Sequence, residues 1–111
     1  MTVTIRRASS EDANDISCLV QGVFNEFVGP AYSDEGINTF LDYIRPESII
    51  ESYKNNHFTL VAVIQNRIIG VIHMRDCEHI SLMFVDKEYH RRGIATRLFY
   101  DALGMCEKEE P

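Results

Sequence analysis

No uninterrupted apolar run in this chain approaches the roughly 18 residues that a membrane-crossing helix needs. The opening Met1-Thr-Val-Thr-Ile-Arg-Arg7 lacks the order of a secretory signal, charge first and a longer apolar run after it. A cytoplasmic location is therefore the default expectation. Cysteine is scarce: Cys18, Cys77 and Cys106 are far apart and form no CxxC pair. That spacing indicates neither a disulfide framework nor a zinc knuckle, and it predicts three small packing residues in a reducing compartment. Basic residues are also short, 11 Lys and Arg against 17 Asp and Glu, for a net charge of −6. This disfavours nucleic acid or an anionic membrane as the main partner, since both need a broad basic surface, and a cationic or amine-bearing partner suits the charge better. No internal repeat, low-complexity tract or linker interrupts the 111 residues, which predict one domain over 1–111. The 45% hydrophobic and 25% charged content is that of a folded chain rather than a disordered one.

What is present begins with Val3–Arg7, an alternating, β-branched first strand. Ser9-Ser-Glu-Asp12 supplies a helix start, and Ile16, Leu19, Val20, Val23, Phe24 and Phe27 follow the three-four spacing of an amphipathic helix that Gly29-Pro30 ends. Ser33 opens a second helix with a stripe of Ile37, Phe40, Leu41 and Ile44, and Pro46 begins a short third that Asn55-Asn56 closes. Phe58–Ile64 and Ile68–Met74 read as strands joined by a tight turn near Asn66, and Arg75–Glu78 is the next turn. His79–Phe99 then combines a strand ending near Val85, a polar turn, and a helix from Gly93 with Ala95, Leu98, Phe99, Ala102 and Leu103 at helical spacing. The apolar run before Asp86 suits a strand covered on both faces.

The junction at Gly93 carries the chemistry. The first amides of a helix have no intrahelical partners, and with the positive end of the helix dipole they form an anion site. Glycine permits close backbone approach, Ala95 keeps the next approach almost as close, and Lys87, Arg91, Arg92 and Arg97 put cationic side chains around the same point. Without Gly-Lys-Ser/Thr a P-loop is excluded, and a single glycine does not make a dinucleotide-binding fingerprint. The bland alternative is a glycine-initiated surface helix with solvated arginines.

His90-Arg-Arg-Gly-Ile-Ala95, after an apolar strand and opening a helix, resembles the acyl-CoA pyrophosphate loop of the GNAT superfamily of N-acyltransferases, whose pattern is Gln or Arg, two residues, Gly, one residue, Gly or Ala. His90 departs from that pattern. The order strand, two helices, three strands, helix is similar to the GNAT fold over nearly the whole chain. The resemblance implies an α/β (α+β) fold, a mainly antiparallel sheet flanked by helices in the order β-α-α-β-β-β-α. It also implies that this is the N-terminal two-thirds to three-quarters of such a domain, without the C-terminal strands, helix and usual tyrosine acid.

By position, the resemblance assigns acetyl-CoA as co-substrate, Met83, Phe84 and Val85 to its pantetheine arm through their backbone, and Arg91, Arg92, Gly93, Ile94, Ala95 and Thr96 to its pyrophosphate. No metal is implied. Acetyl transfer to a primary amine by direct attack in a ternary complex needs the ammonium deprotonated, for which Glu78, His79 and Glu26 are candidates, with His73 a further one if it faces the same cleft. A surface turn, a satisfied sheet residue or a solvated helix-end carboxylate is the bland reading of each. Phe24, Phe27 and Tyr32 are candidates for an acceptor pocket or for plain core. The alternative function is a non-catalytic acyl-CoA-binding or interaction module, open to homodimer formation through an uncovered sheet edge.

Overall fold

A computed structural model describes residues 2–28, 31–51, 53 and 57–109, with the side chains of 27, 28, 108 and 109 outside the description. The order is β1 (Thr4–Arg7), α1 (Ala13–Val23), α2 (Asp34–Tyr43), α3 (Pro46–Glu51), β2 (His57–Ile64), β3 (Arg67–Arg75), β4 (His79–Val85) and α4 (Ile94–Glu109). The strands form one antiparallel sheet in the order β1-β2-β3-β4. This is the α+β architecture expected from the sequence. The expected helix endings at Gly29-Pro30 and Asn55-Asn56 lie outside the described residues.

Local chemistry explains the element boundaries. Ser33 caps α2, its Oγ accepting from the Gly36 N–H at 3.1 Å. Ser9 precedes a single 3-10 turn, Ser10–Asp12, that leads into α1, and a π-helical turn, Phe24–Val28, follows it. Gln65 and Asn66 have φ of 49° and 66°, and Asp76 and Cys77 55° and 58°, so both hairpins close through two consecutive left-handed residues. That is the turn geometry whose twist matches the flanking strands.

The sheet separates two cores. On one face Ala13, Ile16 and Val20 of α1 meet Val61, Val71 and Leu82, with Ile44 and Ile49 from the following helical segments. On the other, Ile94, Leu98, Ala102 and Cys106, four residues apart along α4, meet Leu60, Ile72 and Val85 among others. Between Ala62 and Val63 the β2–β3 register shifts by one residue, and Ile69 and Gly70 both turn toward α4 as a result. Gly70 permits the close approach, since a Cβ there would come within 3.2 Å of Leu98 Cδ1.

β4 is covered on both faces over its second half, as expected, with Leu82 and Phe84 on one core and Met83 and Val85 on the other, while Ile80 near its start is exposed at the sheet edge. One expectation is corrected: Cys77 and Cys106 form a disulfide, with Cα atoms 5.7 Å apart, and Cys18 is free and exposed. The partners are the β3–β4 turn and the last turns of α4, which meet only once the helix has folded back over the sheet. Spacing in the sequence carries no signal of that meeting.

The Arg6 guanidinium holds both carboxylate oxygens of Asp12, at 2.8 and 3.0 Å, and ties β1 to the start of α1. With the Ser9 N–H, and against the effect of burial, this lowers the Asp12 pKa to about 2. Its folded pKa lies below the ordinary one, so the contribution is present above about pH 4 and is lost as pH falls toward 2. Because Arg6 is partly exposed, we set that contribution at about 1–2 kcal/mol. The urea-unfolding difference between wild type and Asp12→Asn is expected to be that large at pH 5 and to vanish near pH 2. A pH-independent difference would refute the ion pair.

Candidate functional site

Where β4 ends, three local hydrogen bonds shape the path into α4. The Asp86 N–H donates to Ile69 O at 2.8 Å, and the Asp86 carboxylate accepts from the Glu88 N–H at 3.0 Å, starting one 3-10 turn, Lys87–Tyr89. His90 Nε2 lies 2.6 Å from Val85 O. A carbonyl only accepts, so this nitrogen carries the proton and donates. The residue that departs from the family pattern therefore pins the turn back onto the end of β4. Arg91 at φ 64° and Gly93 at φ 78° then reverse the chain.

The first intrahelical bond of this segment runs from the Arg97 N–H to Gly93 O at 3.0 Å. The amides of Ile94, Ala95 and Thr96 precede it and belong to the orphan donors of a helix start. A cavity of about 370 Å³ opens there, walled by Met83 and Val85 of β4, Tyr89 and His90 of the turn, and the residues from Arg91 and Gly93 to Thr96. Above Gly93 an added Cβ would meet nothing within 4 Å, so the space faced by this glycine is open.

Of the nine residues assigned to the cofactor, the cavity thus gathers Met83, Val85, Arg91, Gly93, Ile94, Ala95 and Thr96. Phe84 packs on the other face of the sheet, its ring 6.2 Å from that of Phe40, and Arg92 lies over the Tyr89 ring at 5.4 Å. Tyr89 and His90 complete the wall without having been assigned to it. Their signal was present only as the odd residue of the motif and its neighbour. The expected cationic cluster is smaller: Lys87 pairs with Glu26 at 3.1 Å, and Arg97 donates to Val3 O at 3.0 Å.

The candidate proton acceptors do not converge. Glu78 and His79 are exposed at the start of β4, about 20 Å along the strand from Val85 by strand geometry. Glu26 lies near the opposite end of β4 through its pair with Lys87. His73 is buried on the α1 face, away from Met83 and Val85, with Nδ1 2.7 Å from Thr59 Oγ1. Burial, followed by the charges of His57 and Arg75, lowers its pKa to about 4. Phe24 is core, stacked on Phe40 at 4.1 Å, while Tyr32 is exposed; the Phe27 side chain lies outside the described residues.

A neutral, buried His73 makes stability pH-dependent. Its folded pKa lies below the ordinary 6.5, so its contribution is full above that pH and is lost as pH falls through about 4. The size is about 3 kcal/mol. Urea midpoints are expected to fall between pH 7 and 4.5 in wild type and to change less in His73→Gln. Parallel pH dependence in the two would contradict this assignment.

The comparisons with known proteins agree with this geometry. Residues 28–111 match the family model described as an acetyltransferase (GNAT) domain. Among curated proteins no sequence match was found. Among solved structures, the PaiA N-acetyltransferase of Thermoplasma acidophilum, in complex with coenzyme A, aligns with a TM-score of 0.87 at 19% identity over 98% of this chain and 74% of that one. A GCN5-related N-acetyltransferase from Rhodopseudomonas palustris gives 0.79 at 18% identity, over 97% and 68%. A GNAT-family acetyltransferase from Staphylococcus aureus gives 0.78 at 16%, again over 97% and 68%. At such identities the structures show the fold, and the family follows from the domain match. The chain belongs to the GNAT acetyltransferase family, a family of acyltransferases.

Proposed function

We propose that this chain transfers an acetyl group from acetyl-CoA to a primary amine by direct attack in a ternary complex. One observation carries the reading: a cavity at the end of an edge strand, backed by a helix start whose glycine stands at φ 78° with open space above it. Such a start suits a diphosphate, with the amides of Ile94, Ala95 and Thr96 as donors and Arg91 as a nearby cation. Met83 and Val85 border the same cavity, so the pantetheine arm would lie along β4. The chain's contributions are orientation, polarisation of the thioester carbonyl by a β4 backbone N–H, and removal of a proton from the ammonium. Of our candidates for that proton, Glu26 stands nearest the Val85 end of β4 through its exposed pair with Lys87, whereas Glu78 and His79 lie about 20 Å along the strand, beyond direct reach.

The separation of Glu78, His79 and Glu26 also supports a second reading, a non-catalytic acyl-CoA-binding module. Thiol release from acetyl-CoA, measured against a panel of amines, separates the two. Amine-dependent release is the expected result. Tight CoA binding without release for any amine would sink the transferase reading and leave the module.

A further inference from the structure

The Cys77–Cys106 bridge closes a covalent loop, and the cofactor cavity lies wholly inside it. Every residue of the cavity wall, from Met83 to Thr96, belongs to the stretch of chain between the two cysteines. β4 runs from the bridged turn to the cavity, and α4 runs back from the cavity to the bridge. The helix start that would hold the diphosphate and the helix end held by Cys106 are therefore two ends of one stiff element, roughly 18 Å apart from Ile94 to Cys106.

The two halves of the bridge differ in access. Cys77 stands at φ 58°, directly after Asp76 at φ 55°, in the turn between β3 and β4. The second such position of a tight hairpin turn favours glycine, because a β-carbon is strained there. Cys77 is half-buried, whereas Cys106 is 7% exposed, so the half of the bridge within reach of a thiol in solution is Cys77. Cys106 completes the stripe of Ile94, Leu98 and Ala102 that seats α4 on the sheet. Three of those four positions do not depend on the bridge, so opening it loosens the end of the helix while the rest stays seated. Cys18 belongs to α1, on the opposite face of the sheet, and offers neither cysteine an alternative partner.

We propose that this bridge is a redox switch on the cofactor site: oxidised, it holds α4 in the position that binds acyl-CoA, and a dithiol reductant opens it and lowers that affinity. The proposal rests on the cofactor reading above. A thiolate of the reductant attacks Cys77 Sγ, the bond to Cys106 breaks, and Cys106 leaves as a thiolate that takes up a proton. The second thiol of the reductant then displaces Cys77. The chain has gained two electrons and two protons, and the reductant leaves as a cyclic disulfide. Linkage makes the effect reciprocal: by whatever factor the bridge raises the affinity for the ligand, the bound ligand disfavours reduction of the bridge.

The test uses the full chain equilibrated in mixtures of dithiothreitol and its cyclic disulfide, with desulfo-coenzyme A as ligand because it keeps the diphosphate and has no thiol. Calorimetry is expected to show binding at least about fivefold weaker in the reduced chain than in the oxidised one. Saturating ligand should lower the ratio of reduced to oxidised chain, read by alkylation and mass spectrometry, by the same factor. Circular dichroism should show the reduced chain still folded. The double variant Cys77→Ser with Cys106→Ser should bind as weakly as the reduced chain at every dithiol ratio, and Cys18→Ser should behave as wild type. Equal affinity in the two forms, or global unfolding on reduction, would overturn the switch and leave the cofactor reading intact. Failure of the oxidised chain to bind the ligand would overturn both.

Discussion

Gly93→Asp is expected to weaken coenzyme A binding by roughly 100-fold or more. The mechanism has two parts. At φ 78° a β-carbon costs about 1–2 kcal/mol of backbone strain, and the added carboxylate places a negative charge beside the amides of Ile94 to Thr96, where the diphosphate would sit. Loss of two charge-assisted hydrogen bonds, each worth about 1.5–3 kcal/mol, accounts for that fold-change. Gly93→Ala separates the parts. Nothing lies within 4 Å of its added methyl, so it carries the strain without the charge and should lose about tenfold or less. Isothermal titration reads both variants, and affinity unchanged in Gly93→Asp would remove the pyrophosphate from this helix start.

Breaking the Cys77–Cys106 bridge has the largest expected effect on stability. The partners are 29 residues apart, and closing a loop of that length removes about 3–4 kcal/mol worth of unfolded-state entropy. Small domains are stable by only about 5–15 kcal/mol in all. Reduction, or the double variant Cys77→Ser with Cys106→Ser, should therefore lower Tm by about 15 °C or more. The loss is centred on α4: Cys106 is the last of four buried positions, after Ile94, Leu98 and Ala102, that seat this helix on the sheet. Because the same helix begins at the cofactor cavity, coenzyme A should bind more weakly to the reduced chain. Thermal unfolding with and without a dithiol reductant measures the first effect, and identical Tm values would show that the bridge contributes nothing.

Much of the fold was legible from local chemistry. Hairpin chemistry at Asn66, the Ser33 cap and the three-four spacing from Ile16 to Phe24 are properties of short segments, and each element formed where its own residues required. What was not legible depends on where segments end up. An apolar run cannot say whether its strand lies inside the sheet or at its edge: β4 is an edge strand with Ile80 exposed, yet its second half contributes to both cores. The disulfide joins a turn to a helix end across the sheet.

The same division runs through the site. The residues that line the cavity were legible because a single turn supplies most of them, from Arg91 to Thr96, with Met83 and Val85 close behind in sequence. The Phe84 side chain faces the other way because side chains alternate across a strand, which leaves the assignment of its backbone untouched. The Arg92 guanidinium lies over the ring of Tyr89, itself part of the cavity wall. Proton acceptors depend on distances between separate elements, which sequence proximity does not supply: Glu78 and His79 are near β4 in the chain but at its far end from Val85.

The claim on which the account turns is that the start of α4 holds the diphosphate of an acyl-CoA. Calorimetric titration of the same protein with coenzyme A and with pantetheine, which lacks the diphosphate and nucleotide, tests it most directly. Coenzyme A is predicted to bind at least about 100-fold more tightly, with the difference collapsing in Gly93→Asp. Equal affinities for the two ligands would contradict it.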